Sequence, residues 1–357
     1  MSDLVKDFLN GSKLTFDQAH QLFTDIAQGQ VDEIQTAAVL ATMRERGESV
    51  NEIAGAAAAF LDAAVTLDTN VACYDSAGTG GDQAGTINIS TGAALLAASV
   101  GIPMAKHGNR SVSSKTGSAD VLEYQGIRLD YPPEEAARVL EEKNFVFLFA
   151  PFYHPAVKRV MPVRSALGVP TLFNTLGPLL NPAPLAGQLM GVANIRHAPI
   201  VAQVLATLNR PRALVVNGLG LDEIAVHGES SVWEVQDGAV RHYTVTPQQL
   251  GIAKFEVEDL RGGETAQNAE ALMAALAGEG SPAHRAAIAV NAGALAYLAG
   301  RVETLREGTE FALDTLAAGG VVNYVESLAD PKAAPGEDST TLSTGAEPSD
   351  ASGGQDE

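Results

Sequence analysis

The chain has 357 residues, and its 43 acidic against 23 basic side chains leave a formal charge of −20. At the usual ~100–200 residues per domain that length suits about two domains. The acidic excess argues against general nucleic-acid binding, which needs many phosphates neutralised, and against attachment to anionic lipid, since no basic cluster stands beside an apolar face.

The first elements announce themselves by their caps. Thr15 with Gln18, Asp32 with Gln35 and Ser49 with Glu52 each set an N-cap residue before a polar partner three positions on, which predicts three short helices. In the first of them Phe16, Ala19, Leu22, Phe23, Ile26 and Ala27 share one face at helical spacing. A small α-helical domain over residues 1–68 follows. From residue 71 short apolar runs alternate with helical stretches, the pattern of parallel strands joined by crossover helices, with strands expected at 71–74, 102–105, 145–149, 188–192 and 213–216. Pro132 and Pro133, followed by Glu134 and Glu135, open the helix before the third strand.

The charge-free stretch 165–195 contains Pro170, Pro178, Pro182 and Pro184 and so is not a membrane helix. Asp237-Gly238 is a two-residue hairpin turn between antiparallel strands at 231–236 and 239–245, and helices follow to about residue 328. The fold class is α/β: a small N-terminal helical domain and a larger α/β domain, residues 69–330, around a mostly parallel central sheet. Residues 331–357 hold one lysine, six carboxylates and a single large aliphatic residue, Leu342, too little apolar surface to order a tail. The single Cys73 cannot close an intrachain disulfide, no Cys/His set has zinc-site spacing, and the first residues lack the basic and apolar runs of a secretory signal. A cytoplasmic protein is expected, with Cys73 a small buried hydrophobe and Trp233 a packing residue. His20, His197, His227, His242 and His284 have no metal-site spacing.

The carboxylates are unevenly spread. None lies between Asp82 and Asp120, where Lys106, Arg110 and Lys115 fall, and none from Asn144 to Leu221, where Lys158, Arg159, Arg164, Arg196, Arg210 and Arg212 fall. Positive potential kept inside a negative protein suits an anion pocket; buried strands and helices that merely exclude acids leave the same trace. Three loops favour the pocket. Ser76-Ala77-Gly78-Thr79-Gly80-Gly81-Asp82 follows the first α/β strand, and Thr86-Ile87-Asn88-Ile89-Ser90-Thr91 leads into an Ala-rich helix, so backbone N–H groups and a helix N-terminus can meet oxyanions. Lys106 to Ser114, with Gly117 and Ser118, gathers cations, hydroxyls and glycines after the next strand. Asp222-Glu223 ends the long acid-free run after a further strand, and hard oxygens of this kind hold Mg²⁺ together with substrate phosphates.

As an ordered set these loops, with His154-Pro155, Pro162-Val163-Arg164 and Phe173-Asn174-Thr175-Leu176-Gly177-Pro178-Leu179-Leu180-Asn181-Pro182, resemble the anthranilate phosphoribosyltransferases over nearly all of residues 1–330. The resemblance implies transfer of phosphoribose from phosphoribosyl pyrophosphate to the amino nitrogen of anthranilate in tryptophan biosynthesis. It also implies a nucleoside-phosphorylase-like α/β domain, a segment at about 164–183 returning to the helical domain, and a homodimer that engages neither nucleic acid nor membrane. By motif, phosphoribosyl pyrophosphate would meet Gly78, Gly81, Asp82, Thr86, Asn88, Ile89, Ser90, Thr91, Lys106, His107, Gly108, Asn109, Arg110, Ser111, Val112, Ser113, Ser114 and Ser118. Anthranilate would meet Gly78, Asn109 and Arg164, with His107 and His154 as neighbours. Two Mg²⁺ ions would be held, one by Ser90 and Glu223 and the other by Asp222 and Glu223. Lys106 and the metal ions would stabilise the transition state, and no strong general base is expected. A pyrimidine-nucleoside phosphorylase shares the fold and the lysine-to-serine loop but has no evident need of Asp222-Glu223. A non-catalytic, nucleic-acid-binding relative would show a basic face and degraded loops, and this chain has neither.

Overall fold

Four helices open the chain: α1 (Asp3–Leu9), α2 (Phe16–Gln28), α3 (Glu33–Arg46) and α4 (Val50–Asp62). The computed structural model describes residues 3–110 and 116–330. At the start of α2 the Thr15 hydroxyl accepts the Gln18 N–H at 3.3 Å while the Gln18 side chain accepts the Thr15 N–H at 3.0 Å. Ser49 and Glu52 repeat the exchange before α4 at 3.3 and 2.9 Å, and Asp32 accepts the Gln35 N–H before α3 at 2.8 Å. Each such cap is worth about 1 kcal/mol. The helix that capping signals did not announce, α1, is held by buried Val5 and Phe8.

Seven strands follow: β1 (Cys73–Gly78), β2 (Met104–Gly108), β3 (Phe145–Phe149), β4 (Leu185–Gly191), β5 (Arg212–Asn217), β6 (Ser230–Gln236) and β7 (Ala239–Val245). They form one sheet in the order β3-β2-β1-β4-β5-β6-β7, parallel from β3 to β5 and antiparallel through the hairpin. Two expected strands extend further toward the carboxyl end than their apolar runs indicated. β1 continues through Asp75 and Ser76 to Gly78 because β4 pairs with it as far as Gly191, and β2 continues through Lys106 and His107 to Gly108 because β3 pairs with it as far as Phe149. Lys106, His107 and Gly108 are therefore strand residues, whereas the sequence alone places them in a loop.

Alternate residues of each strand serve opposite cores, as a two-residue period requires. Leu214 and Val216 of β5 pack with α5 (Ile89–Ser99) and the carboxyl-terminal helices, whereas Ala213 and Val215 pack with Phe23, Phe60 and the other bundle residues. The bundle core also takes in Val160, Val163, Leu172, Phe173, Leu176, Leu179 and Leu180 from the proline-rich segment, and Arg44 of α3 donates to the Pro170 carbonyl at 2.6 Å. Chain order reverses between β1 and β4, so their carboxyl ends flank a topological switch point, where open α/β sheets bind ligands. No helix among the described residues is long and apolar enough to cross a membrane.

Candidate active site

At the switch point Gly78 ends β1 and is paired with Gly191 at the end of β4. Beyond Gly78 the backbone turns left-handed at Gly80, Gly81, Gln83 and Gly85 (φ 68°, 81°, 57° and 62°), a conformation that turns N–H groups inward on an anion. Asp82 stabilises this loop by accepting the Ala84 N–H at 3.2 Å. Asn88 is the N-cap of α5 and donates to the Thr116 carbonyl at 3.4 Å, which draws the two phosphate-loop candidates together. Thr86 pairs with Arg261 in an isolated bridge.

Asp222 and Glu223 reach this loop from 142 and 133 residues away. Asp222 accepts the Gly80 N–H at 2.7 Å, and Glu223 accepts the Ser90 N–H in the first turn of α5 at 3.1 Å. Loss of solvent, and then the Asp82 carboxylate, push the Asp222 pKa up to about 6. Glu223 is raised well above the ordinary range, by burial first and by Asp222 second. Lys106 is 2% exposed, and its ammonium donates to the Ser76 carbonyl at 2.5 Å and to the Ser90 hydroxyl at 3.4 Å. Burial lowers its pKa, against the pull of Asp75 and Glu223.

His107 and His154 meet edge to face with ring centroids 5.1 Å apart, both buried. Burial, and then His154, lower the His107 pKa to about 3, so at neutral pH it is an uncharged imidazole. Arg164, on α9 (Met161–Leu167), lies over the Phe173 ring at 5.5 Å and donates to Met161 Sδ at 3.6 Å. It makes no ion pair with a carboxylate among the described residues. A half-buried guanidinium left without a counter-charge is available to a carboxylate ligand.

Other candidates stand differently. Ile89 is buried in the core, so only its backbone can face a ligand, and Thr91 is wholly buried. The Arg110 guanidinium forks onto Glu123 at 2.7 and 2.9 Å and reaches Asp120 at 3.1 Å. It is thus engaged by α6 (Ser118–Tyr124) where the sequence suggested an anion ligand. Asn109 is exposed, and its carbonyl accepts from the Ser118 hydroxyl at 3.4 Å. Gly108 makes room for this closure, since a Cβ there would crowd Ser118 Oγ and the Phe147 ring. Ser111, Val112, Ser113 and Ser114 lie outside the described residues.

Sequence reasoning missed Asp75 and assigned no role to Asn181 of the 173–182 motif. Wholly buried Asp75 accepts the His107 N–H at 3.3 Å and the Asn181 amide at 2.8 Å, which seats His107 on the Asn181 turn. A carboxylate inside an apolar strand run was the available signal. Among the described residues no group of three or more His, Cys, Asp or Glu is arranged to hold a metal, so the metal candidate is the pair Asp222-Glu223 with Ser90.

A helical bundle set against a parallel sheet whose strand ends carry a glycine loop, a buried lysine and a carboxylate pair is the two-part architecture of a glycosyl transferase family. The model of that family's helical bundle domain matches residues 2–64, and that of its a/b domain matches residues 70–322. The anthranilate phosphoribosyltransferase of Corynebacterium aurimucosum is 51% identical over 320 residues, 89% of this chain and 92% of the relative. The crystal structure of the Thermus thermophilus anthranilate phosphoribosyltransferase superposes with a TM-score of 0.87 at 40% identity, covering 92% of this chain and 98% of that one. The Saccharomyces cerevisiae anthranilate phosphoribosyltransferase, solved in complex with PRPP and Mg, superposes with a TM-score of 0.80 at 26% identity, covering 89% and 93%. This chain belongs to the anthranilate phosphoribosyltransferase family.

Proposed function

We propose that this chain transfers the phosphoribosyl group of 5-phosphoribosyl 1-pyrophosphate to the amino nitrogen of anthranilate, giving N-(5-phosphoribosyl)anthranilate and pyrophosphate in tryptophan biosynthesis. The observation that carries the reading is the seating of Asp222 on the Gly80 N–H and of Glu223 on the Ser90 N–H, which sets two carboxylates against a phosphate cradle. Anions so placed repel pyrophosphate unless a cation lies between.

The residues fit Mg²⁺. Their donors are hard oxygens, the absence of a Cβ on Gly78 is what admits the Asp222 carboxylate to the end of β1, and burial first, then neighbouring carboxylates, raise the pKa values of the pair. Ser90 with Glu223 would hold one ion and Asp222 with Glu223 a second. When bound, Mg²⁺ neutralises charge on the pyrophosphate oxygens. The remaining work belongs to the chain. Those N–H groups of the glycine loop that are not already given to Asp222, Asp82 or the Gly191 carbonyl bind phosphate oxygens, and Lys106 stabilises charge that grows on the leaving group as the C1–O bond breaks. The amine lone pair forms the C1–N bond, pyrophosphate departs with the C1–O electron pair, and the nitrogen then loses its proton to solvent. Arg164 and Asn109 orient the anthranilate carboxylate, beside neutral His107 and His154.

The same reading divides the chain into residues 1–68 with a returning segment at about 164–183, and 69–330, supported by the family matches to 2–64 and 70–322. It includes a homodimer, supported by exposed Leu9 and Ile34 on the bundle, and a cytoplasmic setting, which suits the free, buried Cys73. The test is pyrophosphate release from phosphoribosyl pyrophosphate with and without anthranilate, in Mg²⁺ and in EDTA. Release that needs both anthranilate and metal, with matching loss of anthranilate fluorescence, is expected. No release, with phosphorolysis of thymidine or uridine instead, would overturn it.

A further inference from the structure

Three strand ends converge on one member of the carboxylate pair. A Cβ at Gly78 would overlap the Asp222 carboxylate, and one at Gly191 would overlap the Asp222 main-chain carbonyl, so both glycines are required for that residue to sit at the switch point. The third end is Asn217, the last residue of β5 and 2% exposed. Its amide donates to the Val192 carbonyl at 2.8 Å and to the Ala193 carbonyl at 2.9 Å, just beyond β4, and its oxygen accepts the Gly220 N–H at 3.4 Å. One buried side chain thus joins the end of β4 to the turn that delivers Asp222.

That turn needs holding. Gly218 and Leu221 exchange backbone hydrogen bonds at 3.0 and 3.2 Å, with φ of 52° at Leu219 and 100° at Gly220. Both central residues are left-handed, which glycine accepts and leucine resists. The neighbouring strand end is tied in as well, because Thr79 donates its N–H to the Gly191 carbonyl at 3.0 Å and its hydroxyl accepts the Ala193 N–H at 3.2 Å.

We propose that Asn217 is a positioning residue for the Asp222-Glu223 pair: by fastening turn 218–221 to the end of β4 it sets the pair against the glycine loop, where the two carboxylates would take a divalent cation. The inference rests on the metal reading above and adds to it a residue outside the ligand set. Partners that orient metal ligands cost about 10–100-fold in metal affinity when removed. A purely structural asparagine would lower thermal stability and leave metal affinity unchanged.

The two are separated by water-proton relaxation enhancement with Mn²⁺, measured on the full chain with phosphoribosyl pyrophosphate, together with steady-state kinetics over a Mg²⁺ series. Asn217→Ala is expected to weaken Mn²⁺ binding about 10-fold and to raise the Mg²⁺ activation constant alike, while kcat at saturating Mg²⁺ changes far less. Parent-like Mn²⁺ binding by a folded Asn217→Ala chain overturns the inference, whatever its melting temperature. If the alanine chain does not fold, Asn217→Ser, which keeps one donor, is measured instead, with an intermediate loss expected and parent-like binding again overturning the role. A parent chain that binds no Mn²⁺ under these conditions overturns the metal reading itself.

Discussion

His107 and the carboxylate pair differ in what they can contribute, and the difference comes from their charge states. An imidazole with its pKa near 3 is a poor base at neutral pH, and an aromatic amine attacks unprotonated and needs little activation. His107→Ala is therefore expected to lower kcat by less than about 10-fold, against at least ~100-fold for Asp222→Asn combined with Glu223→Gln. Steady-state kinetics decide it, and a larger loss in the histidine variant would refute the assignment. The pH dependences run in opposite directions. His107 takes its proton only near pH 3 in the folded chain but near its ordinary 6.5 when unfolded, so its contribution is present above about 6.5 and is lost as pH falls toward 3. Asp222 holds its proton up to about 6 when folded and only to 3.8 when unfolded, so its charge costs stability as pH rises through that window. Cation binding relieves that cost and competes with the proton. The Mg²⁺ activation constant is accordingly expected to rise as pH drops below about 6; a constant value from pH 5 to 8 would show that the pair titrates elsewhere.

At the scale of the element, two glycines of one loop are needed for different reasons. A Cβ at Gly78 would overlap the Asp222 carboxylate, whereas Gly81 has open space around it but a φ of 81°. Gly81→Ala is expected to cost roughly 1–2 kcal/mol of stability through backbone strain. Gly78→Ala is expected to displace the carboxylate and weaken metal affinity about 10-fold or more. Thermal melts beside Mg²⁺ titrations of the two variants test this, and equal Mg²⁺ constants would show that the Gly78 cradle has no part in metal binding. Glu52 shows the same economy in the bundle, where one buried carboxylate accepts the Leu14 and Ser49 N–H groups and pairs with Arg46.

Across the whole molecule, the core of α5 and the carboxyl-terminal helices lies on one face of the sheet, the bundle core and a smaller cluster around Cys73, Ala105, Val146 and Leu148 on the other, and the bundle shares its core with the proline-rich segment that carries Arg164. Arg164 is thereby fixed to the bundle while Lys106, Asp222 and Glu223 are fixed to the sheet, so on the proposed reading the two substrates would be held by different bodies of packed side chains. The described chain closes on itself at its carboxyl end, where Ala329 bridges to Ile127 and the Asp330 N–H reaches the Gly126 carbonyl at 2.9 Å. Deleting residues 331–357 leaves those contacts in place and is expected to keep kcat within about twofold of the parent. A large fall in kcat would assign the acidic tail a role in turnover.

Much of this architecture is local in origin and could be read from residues alone. A cap and its partner stand three positions apart, a strand alternates every two, and the Asp237-Gly238 turn needs only its own residues, with φ of 49° and 77°. The glycine loop and the acid-free runs are likewise continuous in the chain, which is why the phosphate and metal candidates were visible. What tertiary structure decided is everything set by distant partners. Pairing with β3 and β4 lengthened β2 and β1, so that Lys106 and His107 became strand residues. Glu123 took the Arg110 guanidinium, Gly191 left room for the Asp222 main-chain carbonyl, and Asn217 tied turn 218–221 to the end of β4. Sequence spacing carries no trace of such contacts, because they depend on which surfaces meet once helices and sheet have packed.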